Sequence, residues 1–157
     1  MPDLKPIESQ ICEAVVEVLD AIKAGPPTWR SKPIVVRRGI TAAEIAGTDR
    51  PIVCVMIVSD TDTPRVFGKS HDVTLQLLVY IETADIDNPD DALADVIEDI
   101  RTALRGAELL KTADAPGGLL LQPLWLKETD RLIDPSGQGG VGSAELKLEG
   151  RYRITHS

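Results

Sequence analysis

The side chains able to do bond-making chemistry in this chain are few and poorly arranged for it. His71 and His156 are its two histidines, and Ser70-His71-Asp72 sets the letters of a nucleophilic relay side by side. Neighbours in an extended chain point to opposite faces, so this adjacency prevents the relay geometry. Cys12 and Cys54 lie inside apolar patterns, without histidine at C-x-x-C or zinc spacing, so buried reduced thiols are expected and no metal site is supported. Asp85, Asp87, Asp90 and Asp91 resemble half a calcium loop, but a register starting at Asp85 needs glycine at Asp90 and glutamate at Val96. Asp60 and Asp62, with Thr61 and Thr63, also lack further ligands at loop spacing. Gly137-Gln138-Gly139-Gly140-Val141-Gly142 spells G-x-G-x-x-G, yet it precedes a strand pattern rather than a helix and reads as a hairpin connection. The expectation is no enzyme, no cofactor and no metal.

Charge argues in the same direction. The 157 residues carry 17 Lys+Arg against 25 Asp+Glu, a net charge of −8. Such a surface disfavours clamping of a phosphate backbone and docking on anionic membrane. No apolar run approaches the roughly 20 residues of a spanning helix, and Met1-Pro2-Asp3 does not open like a signal peptide, so a soluble cytoplasmic chain is expected. The charge is lopsided: Arg30, Lys32, Arg37, Arg38 and Arg50 gather early, whereas residues 85–114 hold nine acids against three bases. Ordinary solvated surface accounts for this, but so does head-to-tail association of identical subunits.

The elements that must position these residues follow from periodicity. Ile7, Ile11, Ala14, Val15, Val18, Leu19 and Ile22 form one helical stripe, with Pro6 suited to its first turn and Gly25-Pro26-Pro27 stopping it. Ile34 to Arg38 suggests a short edge strand. Ile52 to Val58 is apolar throughout and should be covered on both faces. Ser59 to Ser70 reads as a long polar hairpin loop, and Asp72 to Glu82 alternates like a half-buried strand. Asn88-Pro89-Asp90-Asp91 predicts a capped helix start, Ala92 to Leu104 its stripe and Gly106 its stop. Strands are expected over about 120–129, where Pro123 implies an edge or a bulge, and over Glu145 to Ile154. Asp134 to Ser143 reads as the connection between them. The order α-β-β-β-α-β-β over residues 1–157 predicts a single α+β domain, with two helices packed on one face of a mainly antiparallel or mixed sheet.

This order also resembles a family. The first helix, the strand Arg50-Pro51-Ile52-Val53-Cys54-Val55, the long strand His71-Asp72-Val73-Thr74-Leu75-Gln76-Leu77-Leu78-Val79-Tyr80, the acid-started helix from Asp90 to Ile100 and the closing Tyr152-Arg153-Ile154 are similar to the tail terminator (tail-completion) proteins of long-tailed bacteriophages and prophages. The likeness spans most of the chain through element order, length and texture. It implies a small α+β domain that assembles as a ring, commonly a hexamer, on the last ring of the tail tube. There it halts polymerisation and presents a surface to the head-tail connector, within the virion after assembly in the host cytoplasm. The implied partners are copies of itself, the tail tube protein and the connector, with DNA only passing through the lumen and no membrane. No catalytic residues carry over.

On this reading Trp29, Arg37, Arg38, Arg65 and Phe67 are candidate residues for subunit and partner contacts. Asp90, Asp91, Asp95, Glu98 and Asp99 are candidates for an acidic lumen that repels DNA and lets it slide. A head-completion or neck protein of the same particle is the nearest alternative. A small ligand-binding or enzymatic domain using His71 is the alternative from another class.

Overall fold

The computed structural model describes residues 6–31, 34–39, 51–64, 70–84, 88–105, 120–121, 124–133 and 141–155. Helix α1 spans Ile7–Asp20, and Ile11, Cys12, Val15 and Leu19 form its buried stripe. Pro6 stands just before the helix rather than inside its first turn, and its carbonyl accepts from Gln10 N–H at 3.1 Å. The helix tightens into a 3-10 turn, Ala21–Ala24, and ends where Gly25 takes φ 67°, a conformation that favours glycine. Helix α2 spans Pro89–Arg105, with proline in its first position and Ala92 N–H bonded to the Asn88 carbonyl at 3.1 Å. Its buried residues Leu93, Val96, Ile97 and Ile100 follow the predicted stripe. Gly106, the expected stop, lies outside the described residues.

Among the described residues, five strands form one mixed sheet in the order β1-β2-β3-β5-β4. They are β1 Val35–Arg38, β2 Ile52–Pro64, β3 Ser70–Ala84, β4 Trp125–Ile133 and β5 Val141–Thr155. β1 runs parallel to β2, and every other pairing is antiparallel. α1 lies over β1 and β2, and α2 over β3 and β5, so both helices cover one face and touch each other. The architecture is α+β in the predicted element order. Val73, Leu75, Leu77, Val79 and Ile81 point into the core from β3, and Ala144, Leu146, Leu148 and Tyr152 from β5. Alternation thus placed one face of each strand under the helices, where full burial of a Leu or Ile is worth about 2 kcal/mol.

Two segments differ from the sequence expectation. Ser59 to Pro64 belong to β2 instead of a loop, paired residue by residue with β3 from Gln76 to His71. Backbone pairing suffices there: β3 is already held by β5, so an exposed polar stretch extends the sheet without burying side chains. The register shifts at Val58, which bulges out 58% exposed, so the apolar run Ile52 to Val58 is covered on both faces only as far as Val55. Regular pairing of β4 begins at Trp125; nearer 120 the chain keeps a bridge to β5, with Leu121 N–H bonded to the Arg151 carbonyl at 2.7 Å, while Leu120 and Leu124 pack over Gly150. Their methyls lie 3.1 Å from where a Cβ on Gly150 would stand, and Leu120 is fully buried over β5. Among the described residues β1 and β4 are the edge strands, as expected.

Candidate functional site

The helix-free face of the sheet and its two flanks hold much of the exposed charge. β5 alternates, sending Glu145, Lys147, Glu149, Arg151 and Arg153 to this face. Lys147 Nζ stands 3.2 Å from Glu128 and 3.5 Å from Asp130 of β4, so two carboxylates share one ammonium. Further along, Arg153 Nε lies 2.8 Å from Asp72, and Arg151 lies 3.9 Å from the same carboxylate. Trp125, 68% exposed, stands beside Glu149 between these two clusters. The face therefore passes from an acidic end to a basic end across an uncovered aromatic ring.

At the opposite flank, Arg37 and Arg38 of β1 are both exposed and point to opposite faces. Arg38 reaches α1, 3.3 Å from Glu13 and 3.3 Å from Ser9 Oγ. Trp29, by contrast, is half-buried against the core, on the segment that follows the 3-10 turn. Arg65 and Phe67 lie outside the described residues, as do Lys32, Arg50, Asp85, Asp87 and His156. So does most of the glycine-rich segment, whose Val141 and Gly142 open β5.

The acids of α2 divide by position. Asp90 and Asp91 are exposed in the first turn, where the macrodipole favours them, while Asp95 and Glu98 are half-buried. Asp99 departs from the acidic set: it is 3% exposed, and its carboxylate accepts from Arg30 N–H at 3.2 Å, Ser31 N–H at 2.8 Å and Ser31 Oγ–H at 2.5 Å. A carboxylate satisfied inside the chain presents no charge to a lumen. Helical spacing alone cannot distinguish it from Glu98, one residue earlier.

Among the described residues, the chemistry-bearing side chains are not assembled. His71 shares a face with Val73, while Asp72 faces the other way toward Arg151 and Arg153. His71 Nε2 lies 3.9 Å from Asp62 of β2, beyond hydrogen-bond reach. Cys12 and Cys54 are buried free thiols. Burial, reinforced by Glu82, pushes the Cys54 thiol up to about 11, and burial also raises Cys12, away from the reactive thiolate. Tyr80, whose hydroxyl donates to Glu82 at 2.9 Å, is pushed up to about 12 by burial and by that neighbour. Among the described residues, no group of three or more His, Cys, Asp or Glu could hold a metal ion. No helix among them is long and apolar enough to cross a membrane.

Sequence reasoning placed Trp125 on a strand but did not see it as exposed. The available signal was a large apolar residue at a polar-face position of an alternating strand. Val58 gave no signal, since its exposure comes from a bulge.

No protein-family model matches the chain, and no curated relative does. Its fold is similar to that of a chain in the solved structure "Virion of native gene transfer agent (GTA) particle", with a TM-score of 0.56 and 12% identity, covering 94% of this chain and 98% of that one.

Proposed function

We propose that this chain is a structural protein of a phage-like particle. It forms a ring, of six copies, that caps the tail tube, stops its polymerisation and offers the surface to which the head connector joins. The observation that carries the reading is the fold shared with a virion chain over nearly the full length of both. Three features agree with it. The sheet offers charged flanks, the β4–β5 part of its helix-free face exposes Trp125 and charged side chains, and among the described residues the nucleophile, base and acid candidates are held apart. The work is done by surfaces, in the virion, after assembly in the host cytoplasm.

In this reading Arg37, Arg38 and the segment carrying Trp29, with Arg65 and Phe67, contribute to contacts with neighbouring copies, the tube protein and the connector. Asp90, Asp91, Asp95 and Glu98 supply acidity to the lumen, where like charge keeps DNA from sticking as it passes.

Deleting the gene from its particle-producing genome and imaging the products tests the assignment. A terminator leaves overlong, headless tubes, and the purified chain added back restores normal tails. Normal-length tails beside unsealed heads would place the chain in the neck instead. Intact particles would overturn the proposal, as would metabolite turnover that is abolished by His71→Ala.

A further inference from the structure

The outer edge of β2 is only partly used. β1 pairs with it from Ile52 to Val55, and Gly39 N–H adds one more bond to the Val55 carbonyl at 2.9 Å. Among the described residues no strand pairs with that edge from Met56 to Pro64, although the other edge of this stretch is bonded to β3. The outer edge of β1 is likewise unpaired among the described residues. Unpaired strand edges of this kind are templates for another chain.

The two open edges match each other in shape. Along the flank, β1 forms a step four residues long, and the bare part of β2 forms a recess beside it. Turning a second copy by half a turn about an axis perpendicular to the sheet, one strand's width outside β2 at the level of Ser59, sets each step into the other copy's recess, with Arg38 opposite Asp62 and Arg37 opposite Thr63. β1 of each copy then lies between its own β2 and the far end of the partner's β2. It is parallel to the first and antiparallel to the second. The gap between the two β2 strands is one strand wide and is filled from both ends.

Charge and face agree with this placement. A half-turn about that axis keeps the helices of both copies on the same side. Arg38 lies on the helix face of β1, beside Glu13 of α1, and Asp60 and Asp62 lie on the helix face of β2, opposite Leu75 and Val73. The half-turn brings the guanidinium of each copy to the carboxylates of the other. Arg37, on the other face, comes to Thr61 and Thr63, whose hydroxyls can accept its hydrogen bonds. Opposite charges directly across an antiparallel pair are stabilising.

We infer that the chain pairs with a second copy of itself through the β1 and β2 edges, forming a two-fold dimer with one continuous sheet. The inference stands apart from the tail assignment, since among the described residues the edge is open whatever particle the chain serves. If both hold, the β1 edge cannot serve this dimer and a ring flank at once. The dimer is then the form of the free chain, and the ring requires the tube to open it.

Light scattering and sedimentation of the purified chain test the idea. A dimer in equilibrium with monomer is expected. Arg38→Glu should weaken it about tenfold or more, and the double variant Arg38→Glu with Asp62→Lys should recover most of that loss. Circular dichroism checks that each variant is folded. A second measurement uses disulfide formation in Arg37→Cys with Thr63→Cys: covalent dimers should form and stop at two chains, while neither single variant cross-links. A chain that stays monomeric to millimolar concentration overturns the inference, as do covalent ladders of three or more chains, the mark of head-to-tail contact. An Arg38→Glu dimer as tight as the parent also overturns it. A confirmed dimer from a gene whose deletion leaves particles intact would remove the tail assignment and keep this one.

Discussion

The carboxylate of Asp99 on α2 holds the backbone N–H and the hydroxyl of Ser31, 68 residues earlier, at 2.8 and 2.5 Å, with all three groups buried. This bond fixes the segment after the 3-10 turn, and with it Trp29, against the second helix. Removing the acceptor leaves buried donors unpaired. Asp99→Ala should therefore cost about 2–3 kcal/mol, and Ser31→Ala about 1 kcal/mol, in denaturant unfolding. Asp99→Ala should also increase the solvent exposure of Trp29, read as a red shift in its fluorescence.

Alkaline pH should unfold the protein earlier than carboxylates and lysines alone would. Cys54 and Tyr80 keep their protons up to about 11 and about 12, against ordinary values of 9.0 and 10.0. Above pH 9 the unfolded chain loses these protons first, so it binds fewer than the native state and stability falls as pH rises through this window. Urea titrations at pH 8, 9.5 and 11 should show a falling midpoint, less steep in Tyr80→Phe. Cys54 should also resist alkylation at pH 8 until the protein is unfolded.

Gly150 sits on the core face of β5 with two leucine methyls 3.1 Å from where its Cβ would be. Those methyls end flexible side chains and can yield slightly. Gly150→Ala should accordingly cost about 1 kcal/mol, while Gly150→Leu should cost about 3 kcal/mol and displace Leu120. Thermal melts of the two variants against the parent read the difference.

The Arg38–Glu13 pair is exposed, at 39% and 43% of the two side chains. Such pairs add less than about 1 kcal/mol, so Glu13→Gln should leave the unfolding midpoint nearly unchanged. Any large effect of Arg38→Glu on assembly then reports a contact between chains rather than a damaged fold.

Much of the architecture was readable because burial is periodic. The stripe from Ile11 to Leu19, the alternation from Val73 to Ile81 and the proline at the start of α2 each translate directly into a buried face or a helix boundary. What escaped depended on pairing rather than on side-chain polarity. Ser59 to Pro64 extend a strand because β3 offers hydrogen bonds, and no apolar pattern announces that. Leu120 and Leu124 pack over Gly150, about 30 residues later, and interrupt the regular pairing, while Leu121 N–H still bonds the Arg151 carbonyl. Among the candidate site residues, Arg37 and Arg38 are exposed on an edge strand, as the sequence suggested. Asp99 is inside because its partner at Ser31 is invisible to local spacing.

The sheet order carries a last consequence, for synthesis. β5 lies between β3 and β4, so a growing chain that has finished β4 has nowhere to attach it. Until β5 emerges from the ribosome, the buried Ala144, Leu146, Leu148 and Tyr152 are missing from the helix-facing surface and β3 offers a naked side to any passing strand. Folding must therefore wait for the final hairpin, and ribosome-stalled chains ending before residue 141 should depend on chaperones, whereas the complete sheet should not.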